Sequence, residues 1–329
     1  MSTAWERRDI PRGPNDPEEP EAERRRRRLE PPSTLMTFTG QGMQQERIFD
    51  PALLHFSDAY RASEPTFDGR PGATAWRTAR REALHSVLAA IAASGWVDCL
   101  VLRGSVLLDA WFGDAAREPG DLDFVVVPPD WRIEQGRTQR MLDAIAEAAE
   151  RTAEHRGGRV RISARGARSE YIWTYDRVPG RRMVLPWTAP GVPGGLVQLD
   201  FVFNELMPVP PEPTDVGSGS LLWAATPELS LAWKLLWLFT DLHPQGKDLY
   251  DAVLLAERHP LRYELLEAVF KPYDAAWYAS NPVALSHFRD LDCESEWADF
   301  RAEYPHLAGD CRAHHDRLIA ALGPTFEGR

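Results

Sequence analysis

The sequence predicts an α+β fold: a mixed or antiparallel sheet with flanking helices, followed by an all-α C-terminal domain. Two short apolar runs, 97–102 and 122–127, are typical of buried strands and enclose a helical segment. Between 159 and 203, short runs rich in Val, Ile, Tyr and Trp alternate with Gly-rich and Pro-Gly turns, as in an antiparallel meander. After residue 219 the sequence has helical periodicity.

Apolar residues at helical spacing predict the helices, and capping residues help to set their ends. The predicted helices cover residues 49–60, 74–93, 105–112, 137–156, 229–239, 247–257, 261–270, 295–304 and 309–322. The predicted strands cover residues 97–102, 122–127, 159–163, 170–175, 182–186 and 196–203. Residues 178–181 (Val-Pro-Gly-Arg) are predicted to form a turn, and the adjacent His314 and His315 to diverge on the surface of the last helix.

Composition divides the 329 residues into three predicted regions. Residues 1–45 are predicted to be a disordered tail, because they are rich in Pro, Glu and Asp and include five consecutive Arg residues at 24–28. The tail is assigned no role. A Pro-, Gly- and Ser-rich linker, 208–219, separates a core at 46–215 from a helical domain at 216–329.

The overall composition is that of an ordinary globular protein, with 43% apolar and 26% charged residues. The sequence has no run of about 18 uncharged apolar residues and no apolar signal core, which predicts a cytoplasmic protein without a membrane partner. The three Cys residues lack metal-binding spacing, and a disulfide framework is not expected. A net charge of −11 argues against nucleic-acid binding over the whole surface but allows a local basic groove.

Paired carboxylates are the first indication of chemistry. Asp121 and Asp123 open the apolar run 122–127, and residues two apart in a strand share a face. Two such carboxylates repel each other and are costly to desolvate unless a cation lies between them. Asp200, isolated in the apolar run 197–203, is a third candidate oxygen ligand, although a lone strand Asp can also be a structural hydrogen-bond acceptor. Such oxygen donors suit Mg²⁺.

Phosphate-binding groups accompany these carboxylates. Gly104 and Ser105 follow a strand and begin a helix, and so offer free backbone amides, a hydroxyl and the positive end of a helix dipole. Only three of the 38 basic residues are Lys. One of them, Lys234, is the sole charge on an apolar helix and must reach a carboxylate, a phosphate or, by snorkelling, the surface. Asp248 and Asp251 could simply satisfy the free amides of their helix. Phosphoryl and nucleotidyl transfer need metal-binding carboxylates together with groups that position the phosphates and neutralise their charge.

The order of these motifs resembles the nucleotidyltransferase superfamily related to DNA polymerase beta. More narrowly, the chain is similar to the AbiEii/AbiGii toxin family of abortive-infection toxin–antitoxin systems, over residues 51–258. The resemblance rests on Arg103-Gly104-Ser105, Pro119-Gly120-Asp121-Leu122-Asp123-Phe124, Leu199-Asp200-Phe201, Lys234-Leu235 and Lys247-Asp248-Leu249-Tyr250-Asp251. The gap between Ser105 and Asp121 is longer than the family's usual spacing, so the loop 113–120 is expected to shape the pocket differently.

The resemblance implies a role for each matching residue. Arg103, Gly104, Ser105 and Lys247 would bind the nucleotide. Asp121 and Asp123 would bind Mg²⁺, and Asp200 would be a further metal ligand or a base. Lys234 would contact the phosphates. Asp248 would complete the site as the base for the acceptor.

The leading hypothesis is a Mg²⁺-dependent nucleotidyltransferase that moves NMP from an NTP to a hydroxyl group. The family resemblance favours an RNA acceptor, such as the 3′ end of a tRNA, and a toxin with an antitoxin encoded nearby. Two alternatives remain open. Transfer to a small molecule such as an aminoglycoside suits the net charge of −11. A non-catalytic binding module could also retain the fold.

Overall fold

The computed structural model describes residues 25–26, 28–40, 42–174, 178–217, 219–241, 244–291, 294 and 297–328. Most of the predicted tail, together with Cys293, lies outside these residues. In the described part, no helix is both long and apolar enough to cross a membrane.

Four short strands precede the main sheet. They are β1 (Met43–Gln44), β2 (Arg47–Phe49), β3 (Tyr60–Ala62) and β4 (Thr66–Phe67). β1 pairs with β4 and β2 with β3, both antiparallel. Part of the predicted tail therefore contacts the rest of the protein: Met43 is buried, and the Ser33 amide donates to the buried Glu170 carboxylate at 2.5 Å.

The centre of the molecule is a mixed sheet that contains eight strands within the described residues. Its strands are β5 (Leu100–Arg103), β6 (Asp121–Val126), β7 (Arg161–Ile162), β8 (Arg168–Thr174), β9 (Val178–Ala189), β10 (Val192–Val202), β11 (Glu212–Asp215) and β12 (Leu221–Ala224). The order is β11-β12-β5-β6-β10-β9-β7, and β8 also pairs with β9. The pairs β6/β10 and β12/β5 are parallel and the others antiparallel. The predicted mixed sheet is confirmed.

The helices flank this sheet and fill the C-terminal half. They are α1 (Arg70–Ala92), α2 (Ser105–Phe112), α3 (Gly136–His155), α4 (Pro227–Thr240), α5 (Gly246–Arg258), α6 (Tyr263–Phe270), α7 (Ala275–Tyr278), α8 (Leu285–Arg289), α9 (Trp297–Glu303) and α10 (Cys311–Leu322). α1 packs on α3 and β10, whereas α5 contacts α4, α9 and α10. α4 begins at Pro227, slightly before the predicted start at residue 229: the Thr226 hydroxyl accepts from the Leu229 amide, and Pro227 occupies the first turn.

The sheet continues past the predicted linker. β11 and β12 form an antiparallel pair, and β12 then adds to β5 in parallel. The sheet therefore extends to residue 224, beyond the predicted end of the core at residue 215. One continuous cluster of buried apolar residues joins the sheet to the C-terminal helices.

Three local predictions are wrong. Residues 49–60 are not a helix: Pro51–Leu53 is a 3-10 turn whose first amides are capped by Asp50, and the flanking residues pair as β2 and β3. Residues 178–181 are not a turn but the start of β9. Gly180 is needed there for close packing, because a Cβ would lie 2.8 Å from the side chain of Ile172 on β8.

The third wrong prediction concerns His314 and His315, which are not surface residues. Both are buried, because α10 packs against other helices. The His314 ring lies 5.0 Å from that of Trp297, and His315 Nε2 bonds the Phe288 carbonyl oxygen at 2.7 Å. Both rings are packed inside the helical core, where each has a polar or aromatic partner.

Candidate active site

A row of charged side chains crosses one face of the sheet. Glu170 on β8 is paired with Arg182 on β9, and Arg182 with Asp200 on β10. Asp200 is paired with Asp123 on β6, and Asp123 with Arg103 on β5. Paired residues on neighbouring strands point to the same face of a sheet. Charges along this row alternate in sign except at Asp200 and Asp123, where two carboxylates are neighbours.

The two ends of the row are neutralised. Glu170 accepts from the Arg26 guanidinium at 2.5 Å. At the other end, the buried Arg103 lies 3.6 Å from a Glu205 oxygen, with its guanidinium 5.4 Å and 5.0 Å from the ring centres of Trp233 and Trp237. Arg103, predicted to bind nucleotide, borders a cleft that is also lined by Asp121 and Asp123. Its guanidinium is already held between aromatic rings and a carboxylate.

Asp200 is held by a guanidinium that no sequence motif indicated. Arg182 Nε and Nη2 donate to the two oxygens of Asp200 at 2.9 and 2.8 Å, and Nη1 donates to Asp50 at 2.5 Å. Burial raises the pKa of Asp200 above its usual value, although Arg182 opposes the rise. The register of β9 against β10 places Arg182 here, and no spacing in the sequence reveals that register.

Gly104 and Ser105 lie against the carboxylates, as predicted. Gly104 occupies the N-cap of α2 with φ +85°, and a Cβ there would lie 2.5 Å from Asp123 Oδ2. Only glycine permits both that backbone conformation and that approach. Ser105 is the first residue of α2 and not its cap, and its buried hydroxyl lies 3.4 Å from Asp121 Oδ1. The turn therefore brings the N-terminus of α2 to the paired carboxylates.

The two carboxylates of β6 have very different proton affinities. Burial raises the pKa of Asp123 to about 7, and the charges of Asp121 and Asp200 contribute to the rise. Burial also acts on Asp121, but the charges of Lys247, Arg117 and other cations lower its pKa to about 2. The repulsion between these buried, neighbouring carboxylates favours the binding of a cation beside them.

Lys234 and Asp248 are brought together in a buried ion-pair network. The Lys234 ammonium donates to Asp248 at 2.6 Å and lies 2.9 Å from an Asp251 oxygen. All three side chains are buried, so Lys234 reaches carboxylates rather than the surface, and the snorkelling alternative is wrong. Asp248 and Asp251 are likewise ion-pair partners rather than only helix caps.

The loop that departs from the family's spacing is bound to α5. Arg117, in that loop, donates to Asp251 from Nε and Nη2 at 3.2 Å each. The Tyr250 hydroxyl donates to the Ala115 carbonyl oxygen at 2.8 Å. The loop therefore joins the sheet to the C-terminal helices. In the sequence, Asp251 of the motif Lys247-Asp248-Leu249-Tyr250-Asp251 was the available signal for this contact. Its partner, Arg117, could not be identified from sequence.

The residues present fit Mg²⁺ through two carboxylates. Within the described residues, no three His, Cys, Asp or Glu side chains are arranged as a ready metal site. Asp200, predicted as a metal ligand, has both of its oxygens bonded to Arg182. Asp121 and Asp123 nevertheless line one cleft of about 370 Å³, to which both contribute a carboxylate. Mg²⁺ commonly takes one or two protein carboxylates and fills its octahedral shell with water and substrate phosphates.

The fold and this site define a class of protein. A strand, a glycine turn and a helix N-terminus that face paired strand carboxylates, with a lysine from a later helix, are the parts expected of a nucleotidyltransferase site. The sequence model of the nucleotidyl transferase AbiEii toxin, of type IV toxin–antitoxin systems, matches residues 86–327. The chain belongs to this AbiEii family. The predicted family and the α+β fold class are thereby confirmed.

The comparisons with individual proteins add little to this assignment. Among solved structures, the chain is similar to JHP933 from Helicobacter pylori, with a TM-score of 0.45 and 11% sequence identity. That alignment covers 76% of this chain and 91% of the other. A search of curated protein sequences finds no match.

Proposed function

We propose that the protein transfers NMP from an NTP to a hydroxyl group of an RNA acceptor, such as the 3′ end of a tRNA, in a Mg²⁺-dependent reaction. The observation that carries this proposal is that the carboxylates Asp121 and Asp123 and the turn residue Gly104 line one cleft, with the buried Ser105 hydroxyl 3.4 Å from Asp121 Oδ1. Neither feature has an evident structural purpose alone. Together they offer cation ligands and phosphate donors at one point.

Asp121 and Asp123 would hold Mg²⁺, and the bound ion would supply charge neutralisation at the transferred phosphoryl group. The backbone amides at the start of α2 would bind phosphate oxygens with the Ser105 hydroxyl. Asp200 would be a third ligand or the base that accepts the acceptor's proton. Its raised pKa supports the second role, and the guanidinium of Arg182 would orient it.

The second half of the site comes from α4 and α5. Lys234 would present positive charge to the phosphates while its contact at 2.6 Å orients Asp248, which is proposed as a base for the acceptor. Lys247 is half-buried at the start of α5 and would bind the nucleotide together with the cleft residue Arg103. The family implies an antitoxin partner, and we propose that its gene lies nearby and that the protein acts in the cytoplasm.

The proposal is tested by incubating the purified full-length protein with each labelled NTP, Mg²⁺ and total tRNA. We expect label on RNA with the wild type and with Asp143→Ala, a control at an exposed Asp of α3. Asp121→Ala and Asp123→Ala should give none. Absence of label with every nucleotide and acceptor, despite binding of Mg²⁺–NTP, would favour the non-catalytic module instead.

The acceptor is tested in the same experiment. The net charge of −11 favours a cationic small molecule over RNA. Parallel reactions should therefore contain an aminoglycoside in place of tRNA. Label on the aminoglycoside and none on RNA would replace the RNA acceptor by a small molecule while leaving the reaction class intact.

A further inference from the structure

The antiparallel hairpin formed by β2 and β3 borders the cleft. Arg61 on β3 borders the cleft together with Asp121. Three residues later, Glu64 accepts two hydrogen bonds from Arg80 of α1, at 2.7 and 2.9 Å. Arg80 also donates to the Gly120 carbonyl oxygen at 2.7 Å. Because Gly120 directly precedes Asp121, the hairpin is tied to the strand that carries the first carboxylate.

The cations around the cleft differ in how fully they are paired. Arg117, Arg182 and Lys234 are each bonded to at least one buried carboxylate. Lys247 makes no hydrogen bond or ion pair with the residues that the structure describes. The Arg61 guanidinium donates to the adjacent Ala62 carbonyl oxygen. Among the described residues it has one ion pair, at 3.5 Å. Arg103 also lines the cleft, but it is buried beside the rings of Trp233 and Trp237, whereas Lys247 and Arg61 are half-buried. Among the described residues, Lys247 and Arg61 are thus the cleft cations with most capacity for a ligand.

The ion pair of Arg61 is weak. Its partner is Glu303 at the end of α9, which also borders the cleft. The separation of 3.5 Å does not give a hydrogen bond, and the buried Oε1 of Glu303 has no hydrogen-bond partner in the described residues. The contact with Glu303 therefore gives Arg61 an ion pair but no hydrogen bond, whereas a phosphate would accept charged hydrogen bonds from its guanidinium.

We infer that Arg61 is a nucleotide-binding residue that contacts the triphosphate in this cleft together with Lys247. The inference rests on the proposed function, since it presumes that an NTP occupies this cleft. A triphosphate carries more negative charge than one Mg²⁺ and one ammonium neutralise. A guanidinium offers a fork of donors that matches two phosphate oxygens. When the nucleotide enters, Arg61 leaves Glu303 and binds phosphate.

The position of Arg61 supports this role. Arg61, Lys247 and Asp121 line the same cleft, so both cations and the first of the proposed Mg²⁺ ligands face one ligand volume. Arg61 reaches the cleft from β3, in the segment that precedes residues 86–327, which match the family.

The test measures binding of the four Mg²⁺–NTPs and of inorganic tripolyphosphate to the full-length protein by calorimetry, together with KM and kcat for transfer. Arg61→Ala should weaken binding of every NTP and of tripolyphosphate by roughly tenfold to a hundredfold, which is the range for a lost charged hydrogen bond. It should raise KM by a similar factor with a smaller change in kcat. Arg61→Lys should retain most of the binding.

Two further variants distinguish phosphate binding by Arg61 from a purely structural role of its ion pair with Glu303. Glu303→Gln breaks the same ion pair but removes a negative charge beside the phosphates, so it should bind NTP at least as tightly as the wild type. Arg47→Ala removes the same charge from the same hairpin, but Arg47 pairs with Asp58 away from the cleft. This control should leave NTP and tripolyphosphate binding unchanged.

Arg61→Ala with wild-type affinity for tripolyphosphate and NTP would overturn the inference. Equal weakening by Arg61→Ala and Glu303→Gln would also overturn it, because it would show that the ion pair matters and not the phosphate contact. If the wild type itself binds no NTP, the proposed function fails as well. Activity in the wild type with an unaltered KM in Arg61→Ala would refute the inference alone.

Discussion

Gly104 shows how one residue sets the geometry of the site. Its φ of +85° and its contact with Asp123 are both incompatible with a side chain. Arg182 acts differently, since it joins Asp50 and Asp200 across the row of charges. The first residue permits a close approach, and the second offsets the cost of burying two carboxylates.

Gly104→Ala should abolish nucleotide transfer and destabilise the protein by about 1–3 kcal/mol through backbone strain and displacement of Asp123. The matched control is Gly113→Ala, since Gly113 also has a positive φ, +54°, but a Cβ there would meet no atom within 4 Å among the described residues. The control should share the strain but retain transfer activity. Transfer assays and urea unfolding measure the two effects. Equal activity of both variants would show that the contact with Asp123 is unimportant.

Arg182→Ala should lower the free energy of unfolding by about 3–5 kcal/mol, because it leaves two buried carboxylates without their cation. Arg168→Ala, at an exposed position on the neighbouring strand β8, should change it by less than about 0.5 kcal/mol. Urea denaturation at neutral pH compares them. A similar, small effect of both substitutions would mean that the Arg182 network contributes little to folding.

At the scale of elements, α4, α5 and the loop 113–120 are joined by alternating charges. Lys234 comes from α4, Asp248 and Asp251 from α5, and Arg117 from the loop. Two cations face two carboxylates, so the network is formally neutral although it is buried. Such a network couples the position of Lys234 to the loop beside Asp121.

The same network predicts a pH dependence of stability. Burial acts to raise the pKa of Asp251, but Arg117 and Lys234 outweigh it and hold the pKa below 3.8. A depressed folded pKa gives stability that is fully present above the unfolded pKa and is lost as pH falls through the folded pKa. Between pH 5 and pH 3, on the order of these pKa values, the free energy of unfolding should fall less steeply in Asp251→Asn than in the wild type. Urea unfolding across this window, with the exposed Asp143→Asn as control, checks the expectation; identical slopes would contradict it.

At the scale of the whole molecule, the cleft lies between the sheet and the C-terminal helices, and one apolar cluster spans both. A ligand in the cleft therefore contacts both halves. The continuous core also means that the sheet and the helices should not unfold independently.

Thermal unfolding should accordingly show one cooperative transition. Mg²⁺ with the correct NTP at a hundred times its Kd should stabilise the wild type by about 2.7 kcal/mol. The Asp121→Asn/Asp123→Asn double variant should show no such gain, while Asp143→Asn should behave like the wild type. Two separate transitions would instead support a boundary near residue 215.

Much of the fold and half of the site could be predicted from sequence, because they depend on local patterns. The helix 105–112, the mixed sheet, the Gly-Ser turn and the Asp-x-Asp pair all follow from periodicity, capping and strand alternation. The family match confirms the class of protein that these motifs indicated. The helix predicted at 49–60 failed where pairing between β2 and β3 outweighed local apolar spacing.

The sequence by itself predicted which acids and lysines would form the centre of the site, since their spacing along strands and helices is local information. Only the tertiary structure decided their partners. Arg182 meets Asp200 through the register of β9 and β10, and Arg117 meets Asp251 through the docking of a loop on α5. Arg61 reaches the cleft because a hairpin folds back over it. These contacts join residues far apart in the chain, so long-range packing, which leaves no periodic signal, selects them.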